Sequence, residues 1–303
     1  MQAPYLKAGD TIALVSSARK VTPEDIQFAI ATLEDWGLKV SLGKNLFHQQ
    51  NQFSGSDEER AEDLQSAIDN PEIKAILFAR GGYGTVRIID SVDFSALKNT
   101  PKWIIGYSDI TVLHSHLHRQ LGLVTMHAPM AFNFQKASST LLADWKAKLF
   151  GEPLQVEFAG NNLNRTGEAQ GKIVGGNLSI LYSLLGSNSD IDTNGKILFL
   201  EDLDEYLYHI DRMMLNLKRN GKLSNLAGLI VGGMSDMKDN TIPFGKSAEE
   251  IIFDAVKEYK YPLCFDYPAG HIAENLPLVL GKEMHLNVST SVRLTELVQH
   301  GAA

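Results

Sequence analysis

A serine stands at a sharp joint in the stretch KWIIGYSDITVLH, where an apolar run ends and a helical pattern begins. Ser108 occupies the joint, and Asp109 follows it in the first turn of the predicted helix. A serine hydroxyl attacks a carbonyl when a base removes its proton and donors stabilise the oxyanion. The amide of Asp109, at a helix N-terminus, is suited to be one donor. Because the second glycine of G-x-S-x-G is absent, the joint alone favours a serine that caps the helix.

A glycine-rich turn, ARGGYGT, follows another apolar run. Glycines allow positive φ and close backbone approach, so Gly82 can present its amide beside the serine, where an oxyanion needs a second donor. The alternatives are a plain turn and a phosphate-binding loop. The pattern disfavours a phosphate loop because it is neither G-x-G-x-x-G nor a P-loop with its lysine.

Nine histidines compete for the role of base. His271 lies in YPAGHIAENLPLVLG, and the surrounding proline, glycine and asparagine predict a shaped loop that presents the side chain. His127, which follows a predicted strand, is its rival. His114 and His118 share a helix face, but without an H-E-x-x-H motif or a cysteine cluster, packed or solvated histidines are the better interpretation.

An acid that could orient the imidazole lies in ILFLEDLDE. Glu201 is expected as the first residue beyond an apolar strand, where a carboxylate is well placed to hold a histidine. The alternative is that the acidic residues solvate a turn and favour the N-terminus of the next helix, and this is our interpretation for Asp204 and Glu205.

The elements that must position these residues alternate between strands and helices in the first part of the chain. Capping boxes at Thr22 and Ser56 each predict the start of a helix. Short continuous apolar runs predict strands covered on both faces. The fold class is therefore α/β, with an N-terminal doubly wound parallel sheet of the flavodoxin- or amidotransferase-like kind. Such sheets bind ligands at the carboxyl ends of their strands, where Ser108 lies.

The pattern changes in the second part of the chain. We predict an N-terminal nucleophile domain over 1–134, a polar linker region with one helix over 135–166, and a mixed α/β C-terminal domain over 167–303 that carries the candidate acid and base. Alternating apolar residues over 284–288 predict an antiparallel strand in this last domain.

Composition excludes several classes of protein. The formal charge of -8 and pI of about 5.6, without a basic stripe, disfavour partners such as nucleic acid or anionic membranes. No stretch is long enough to span a bilayer, and the N-terminus does not resemble a signal peptide. The single cysteine, Cys264, fits a reducing compartment and a buried strand. These features predict a soluble cytoplasmic protein.

Six ordered motifs resemble one family, the LD-carboxypeptidases, which comprises murein tetrapeptide carboxypeptidases and microcin C immunity proteins. The motifs are ARGGYGT, IIGYSDIT, IVGGNLSIL, ILFLEDLDE, DRMMLNL and GHIAENLPLVLG. The resemblance implies a Ser-Glu-His triad of Ser108, Glu201 and His271, with the amides of Gly82 and Asp109 as oxyanion donors. It also implies a barrel-like β arrangement in the C-terminal domain, a homodimer, and no metal or other cofactor.

The activity that the resemblance implies is release of the terminal D-alanine from cytoplasmic murein tetrapeptide during peptidoglycan recycling. An exopeptidase must bind a free carboxylate, and a cation would do so. Arg80 is our candidate, Arg87 is a weaker one, and a structural salt bridge is the alternative for both. Asn177 is a further candidate for the cleft, with a role in a turn as its alternative.

Two other functions stay open. A peptidase or amidase of the microcin immunity type would act on peptidyl-nucleotides and use an aromatic-bearing loop. All three tryptophans lie outside the interval 201–271, which favours the murein peptide, although Phe244 lies within it. A non-catalytic protein that binds a small anion at 81–84 would instead function without Ser108.

Overall fold

The structure is a computed structural model and describes residues 1–297. Its strands are β1 (Thr11–Val15), β2 (Lys39–Leu42), β3 (Ile73–Phe78), β4 (Trp103–Gly106), β5 (Thr125–His127), β6 (Gln155–Ala159), β7 (Gly167–Asn177), β8 (Ile197–Leu203), β9 (Gly228–Ser235), β10 (Leu263–Cys264), β11 (Leu278–Leu280), β12 (Glu283–Val288) and β13 (Ser291–Glu296). Together they form two sheets.

Within residues 1–297, eight α-helices connect or cover these strands: α1 (Pro23–Asp35), α2 (Asp57–Asp69), α3 (Thr85–Ile88), α4 (Thr111–Leu121), α5 (Ser139–Leu149), α6 (Leu178–Ser183), α7 (Leu207–Arg219) and α8 (Ala248–Val256). Both predicted helix starts are confirmed, and at Thr22 the backbone amide donates to Asp25 Oδ2 at 2.8 Å. At the start of α2 the amide of Glu59 donates to Ser56 Oγ at 3.2 Å, and the amide of Ser56 donates to Glu59 Oε2 at 2.8 Å. None of the helices in residues 1–297 combines the length and apolar character that crossing a membrane requires.

The first sheet has the strand order β2-β1-β3-β4-β5-β11. Its first five strands are parallel, and β11 joins β5 in the antiparallel direction. One apolar core covers one face and includes Ile26 and Leu33 of α1, and a second covers the other and includes Leu64 and Ile68 of α2. Helices on both faces of a parallel sheet confirm the doubly wound architecture.

The second sheet has the order β10-β9-β8-β7-β12-β13-β6. The first four strands are parallel, and the other three pair antiparallel. The mixed α/β character is therefore confirmed. The barrel-like arrangement stays a prediction: the strand series runs from β10 to β6, and an isolated antiparallel bridge joins Arg165 to Leu263 at the β10 edge.

The segment 135–166 contributes to both halves of the molecule. Trp145 and Leu149 of α5 are buried in a core of the first sheet, whereas β6 is an edge strand of the second. The sequence predicted the helix but not this strand. The proposed domain limits stay a prediction, and residues 298–303 of the third predicted domain lie outside the described part.

Candidate active site

The main chain turns sharply at Ser108. The residue follows β4 with φ of +61°, in the left-handed region that non-glycine residues rarely adopt. Such strained conformations are concentrated at functional sites. Gly106 permits the tight turn, because a Cβ built on it would lie 2.8 Å from Ile110 Cγ1. Ser108 is the first residue of a 3₁₀ turn whose N-cap is Tyr107, and the N-cap of the following α-helix is Ile110. Within residues 1–297 the side chain of Ser108 makes no hydrogen bond, so the helix-capping alternative does not describe this serine.

The glycine turn after β3 lies directly against the serine. A Cβ built on Gly81 would be 3.3 Å from Ser108 Cβ and 3.5 Å from its Oγ. Gly82 has φ of +111°, a conformation that favours glycine. Asp109 is the second residue of the 3₁₀ turn Ser108–Ile110, where helical N–H groups lack helical acceptors. The chain thus brings both candidate amides to the neighbourhood of the serine.

A buried hydrogen-bond network joins the serine joint to the glycine turn. The Asp109 side chain accepts hydrogen bonds from the amide of Thr85 at 2.8 Å and from its hydroxyl at 2.7 Å. Ser17 Oγ lies 2.7 Å from Thr85 Oγ1. Burial raises the pKa of Asp109, although the hydrogen bonds from Thr85 oppose that effect. The network joins Asp109, which carries one candidate oxyanion donor, to the residue at the end of the turn that carries the other.

His271 and Glu201 form a close pair. The Nδ1 atom of His271 lies 2.6 Å from Glu201 Oε2, and the backbone amide of His271 donates to the same oxygen at 3.2 Å. Glu201 is fully buried. A carboxylate that accepts from Nδ1–H fixes the tautomer in which Nε2 carries the lone pair of a base.

The Glu201 carboxylate also changes the acidity of the imidazole. Burial alone would lower the pKa of His271, but the charge of Glu201, its hydrogen bond and the charge of Asp202 outweigh burial, so the pKa is raised above 6.5. The ring of Tyr107 packs against the imidazole, with 4.8 Å between ring centroids. His271 therefore has a fixed position and an increased affinity for a proton.

The loop of His271 is held on three sides. The amide of Gly270 donates to Asn275 Oδ1 at 2.8 Å, and Ser235 Oγ of β9 donates to the carbonyl of His271 at 2.7 Å. A Cβ built on Gly270 would lie 2.7 Å from Glu201 Cβ. A glycine is therefore needed where the loop passes over the acid.

Glu201 is not beyond the end of its strand, as the sequence analysis expected. It lies within β8, which continues to Leu203, and the register with β9 shifts between Leu200 and Asp202. Bulges of this kind change the direction of side chains and are frequent beside active sites. The expectation was wrong because a buried acid interrupts the apolar pattern just as a strand end does.

Ser108 and His271 line one cleft of about 570 Å³ between the halves of the molecule. The N-terminal half also contributes to the lining of the cleft Arg19, Arg80, Gly81, Gly82, Tyr107, Met130, Phe132 and Asn133. The C-terminal half also contributes Leu203, Asp204 and Glu205. No hydrogen bond joins Ser108 Oγ to His271 within the described chain. In unliganded enzymes such contacts are often long and shorten on substrate binding.

The candidate carboxylate-binding residues have different surroundings. Arg80 lines the cleft, with its guanidinium carbon 4.2 Å from the centroid of the Phe132 ring. Arg87 makes two hydrogen bonds, of 2.9 and 2.6 Å, to the carboxylate of Asp57, which is the structural salt bridge considered above. Sequence analysis missed Arg19, which also lines the cleft. Its place after β1 was a signal, because the carboxyl ends of parallel strands meet at one edge.

Asn177 is engaged in the structure of its own strand and helix. Its Oδ1 accepts from the amide of Ile180 and caps α6, and its Nδ2 donates to Asp202 Oδ1 at 3.0 Å. The residue is buried and does not line the cleft. This geometry favours the turn role over contact with substrate. Burial and the charge of Glu201 raise the pKa of Asp202 to about 7.

The rival histidines are packed in the interior. His127 is fully buried, with its ring 5.1 Å from that of Phe199, and burial lowers its pKa well below 6.5. His114 Nε2 lies 2.9 Å from the carbonyl of Gly106, and burial lowers its pKa to about 4. Neither histidine lines the cleft, so neither competes with His271 for the position of base.

The arrangement combines the groups that serine acyl transfer requires: a hydroxyl, an imidazole oriented by a carboxylate, and amides for an oxyanion. The sequence also matches two family models along most of its length. Residues 12–128 match the LD-carboxypeptidase N-terminal domain, and residues 170–286 match the LD-carboxypeptidase C-terminal domain.

Comparison with individual proteins indicates the same family. The chain is 36% identical to a "probable murein peptide carboxypeptidase" of Bacillus subtilis, across 98% of this chain and 95% of the relative. A crystal structure of muramoyltetrapeptide carboxypeptidase from Oxalobacter formigenes has a TM-score of 0.87 and 28% identity, covering 94% of this chain and 98% of that one. MccF in complex with glutamyl sulfamoyl guanosine has a TM-score of 0.86 over 99% of both chains, and at 21% identity it shows a shared fold.

Proposed function

The chain belongs to the LD-carboxypeptidase family of serine carboxypeptidases, and on that premise we propose that it releases the terminal D-alanine of murein tetrapeptide through an acyl-enzyme. The proposal assigns Ser108 as nucleophile, His271 as general base and Glu201 as the residue that orients the base. The observation that carries it is the 2.6 Å pairing of His271 with a fully buried Glu201, in a cleft that Ser108 also lines.

In the first step His271 Nε2 takes the proton of Ser108 Oγ as the oxygen attacks the carbonyl between an L-configured centre and D-alanine. The Glu201 carboxylate stabilises the imidazolium, and the amides of Gly82 and Asp109 donate to the oxyanion. The C–N bond then breaks, and the imidazolium gives its proton to the departing amine of D-alanine.

In the second step water attacks the ester that links the peptide to Ser108. His271 removes a proton from the water, and the same amides stabilise the second oxyanion. Collapse of this intermediate returns the proton to Ser108 Oγ and releases the shortened peptide. The residues thus return to their starting protonation states.

The substrate assignment draws on two relatives that are named for murein peptide or muramoyltetrapeptide carboxypeptidase activity. We further propose that the enzyme acts in the cytoplasm, in peptidoglycan recycling, and as a homodimer. Arg80 would supply positive charge to the substrate carboxylate. Asn177 would act indirectly, by holding Asp202 next to Glu201.

The test is incubation of purified protein with murein tetrapeptide and measurement of D-alanine and tripeptide by mass spectrometry. Wild type is expected to release both products, and Ser108→Ala is expected to lose at least about a thousandfold in rate because the nucleophile is absent. A peptide with an L-alanine terminus controls for general peptidase activity. Equal rates for wild type and a folded Ser108→Ala protein would reject the serine mechanism.

Peptidyl-nucleotides are the second substrate class to test. Phe244, in the segment between β9 and α8, is partly exposed, and an exposed aromatic side chain can stack on a nucleobase. Cleavage of a peptidyl-sulfamoyl nucleotide by a protein that leaves murein tetrapeptide intact would replace the murein assignment while retaining the same nucleophile.

A further inference from the structure

Arg19 lies on the backbone of the glycine turn. A Cβ built on Gly82 would be 2.6 Å from Arg19 Cδ and 2.8 Å from its Nε, so the arginine side chain crosses directly over this glycine. The main chain of Arg19 is fixed at the same place, since its amide donates to the carbonyl of Gly81 and its carbonyl accepts from Ser16 Oγ at 2.9 Å. The main chain is therefore held in place, and the side chain lies next to a candidate oxyanion donor.

This arginine has no internal task that would explain its position. Within residues 1–297, its guanidinium makes no ion pair or hydrogen bond with another side chain, and the side chain is exposed. Arg87, by contrast, is held by the Asp57 carboxylate, and Arg80 is stacked on Phe132. Among the described residues, Arg19 thus combines unpaired donors with an exposed side chain that lines the cleft, whereas the guanidinium of Arg87 is paired and one face of that of Arg80 is covered by a ring.

An exopeptidase needs a cation that binds the terminal carboxylate close to the nucleophile. In the terminal residue of a peptide, the carboxyl carbon is joined to the scissile carbonyl carbon through three bonds, which places it within about 4 Å. A carbonyl bound at the Gly82 amide would thus bring the terminal carboxylate to the same part of the cleft as Arg19. On the other wall, Asp204 is paired with Lys238 at 2.6 Å and Glu205 lies 2.6 Å from His209, so within residues 1–297 the cations beside these two acids are already engaged.

We propose that Arg19 binds the C-terminal carboxylate of the substrate through charge-assisted hydrogen bonds, with Arg80 adding positive potential from its stacked position. The identity of the peptide rests on the function proposed above. The carboxylate-binding role itself does not, since any substrate with a free terminal carboxylate would be held in the same way. Arg19 thereby makes the cleft specific for chain ends over internal peptide bonds.

The experiment separates this role from turnover by measuring binding in the Ser108→Ala background. Titration calorimetry gives the Kd of murein tetrapeptide with a free carboxylate and of the same peptide with a C-terminal amide. The proteins are Ser108→Ala alone and with Arg19→Gln, Arg80→Gln or Arg293→Gln. Arg293, an exposed arginine of β13 paired with Glu157, is the matched control because it lies outside the cleft.

Ser108→Ala is expected to bind the acid about tenfold to a hundredfold more tightly than the amide, the range for a hydrogen bond to a charged group. Arg19→Gln should abolish that preference by weakening binding of the acid alone. Arg80→Gln should reduce it less, and Arg293→Gln should leave it unchanged. Equal affinity of Ser108→Ala for acid and amide, or an undiminished preference after Arg19→Gln, would overturn the proposal.

Turnover of the tetrapeptide by wild type, measured in parallel, reports on the proposed function independently. An Arg19-dependent preference for the acid without release of D-alanine would support the carboxylate site and reject the murein activity. Release of D-alanine by wild type and Arg19→Gln with the same KM would support the activity and reject the carboxylate site.

Discussion

The acidity of one imidazole determines the pH range in which the candidate site works. His271 is a base only when neutral, and Glu201 raises its pKa above 6.5 in opposition to burial. As the pH falls through that raised value, the imidazole becomes protonated and cannot accept the proton of Ser108. The same carboxylate that stabilises the imidazolium during the reaction thus moves the loss of activity to a higher pH.

Glu201→Gln tests this coupling. Gln keeps the size of the side chain and can accept from Nδ1–H, but it removes the charge, so burial should lower the pKa of His271. The acidic limb of the pH profile of kcat/KM should move to lower pH, and the maximal rate should fall by about a hundredfold or more. The measurement is D-alanine release from about pH 5 to pH 9.

Glu168→Gln is the matched control, because Glu168 lies 3.6 Å from the imidazole of His285 in an exposed pair of β7 and β12. This variant should keep the wild-type profile. If the acidic limb of the Glu201→Gln profile stays at the wild-type pH, whatever the maximal rate, the pKa of His271 does not determine that limb.

Two adjacent glycines allow a strand of the second sheet to reach the nucleophile helix. Both Gly175 and Gly176, near the end of β7, have positive φ. A Cβ built on Gly176 would be 2.5 Å from Thr111 Oγ1, an atom of α4 that accepts from the amide of Asn177 at 3.0 Å. This contact fixes the strand next to Glu201 against the helix that begins after Ser108, because β7 and β8 are neighbours.

Gly176→Ala is expected to destabilise the protein by about 2 kcal/mol or more, through backbone strain and collision with Thr111. Gly186→Ala is its control, since Gly186 also has positive φ but has open space around its Cα. Urea unfolding of the two variants isolates the steric part. Equal losses in both would mean that the close approach to Thr111 contributes nothing beyond the strain.

The sequence predicted those elements whose apolar period or caps are local. The boxes at Ser56 and Thr22, the alternation over 284–288 and the runs of the parallel sheet each carry their own signal. β6 was not predicted although Val156 and Phe158 alternate with polar residues, because five residues of alternation inside a polar segment are a weak signal. Arg19 was also missed: its place after β1 indicated the edge of the sheet where the cleft lies, but its contact with Gly82, a residue distant along the chain, depends on the sheet topology.

Buried ionic contacts connect the two halves of the molecule. Glu296 of β13 pairs with Lys148 of α5 and, at 3.0 Å, with Lys282; it also accepts from Tyr5 at 3.2 Å. Lys148 and Glu296 are both nearly inaccessible. Burial lowers the pKa of Lys148 despite this neighbour, whereas the two lysines hold the pKa of Glu296 below 4.5 against burial.

Glu296→Gln should therefore destabilise the whole molecule, because it leaves Lys148 buried without a counter-charge. The expected loss is about 3 kcal/mol in urea unfolding near pH 7, the lower range for breaking a buried pair. Glu157→Gln, which breaks an exposed pair with Arg293, should cost less than about 1 kcal/mol. The lowered pKa of Glu296 contributes stability above its unfolded value, and that contribution is lost as pH falls through the folded value. The difference between wild type and Glu296→Gln should accordingly shrink as the pH falls below 4.5, whereas a difference that is independent of pH would assign the loss to packing alone.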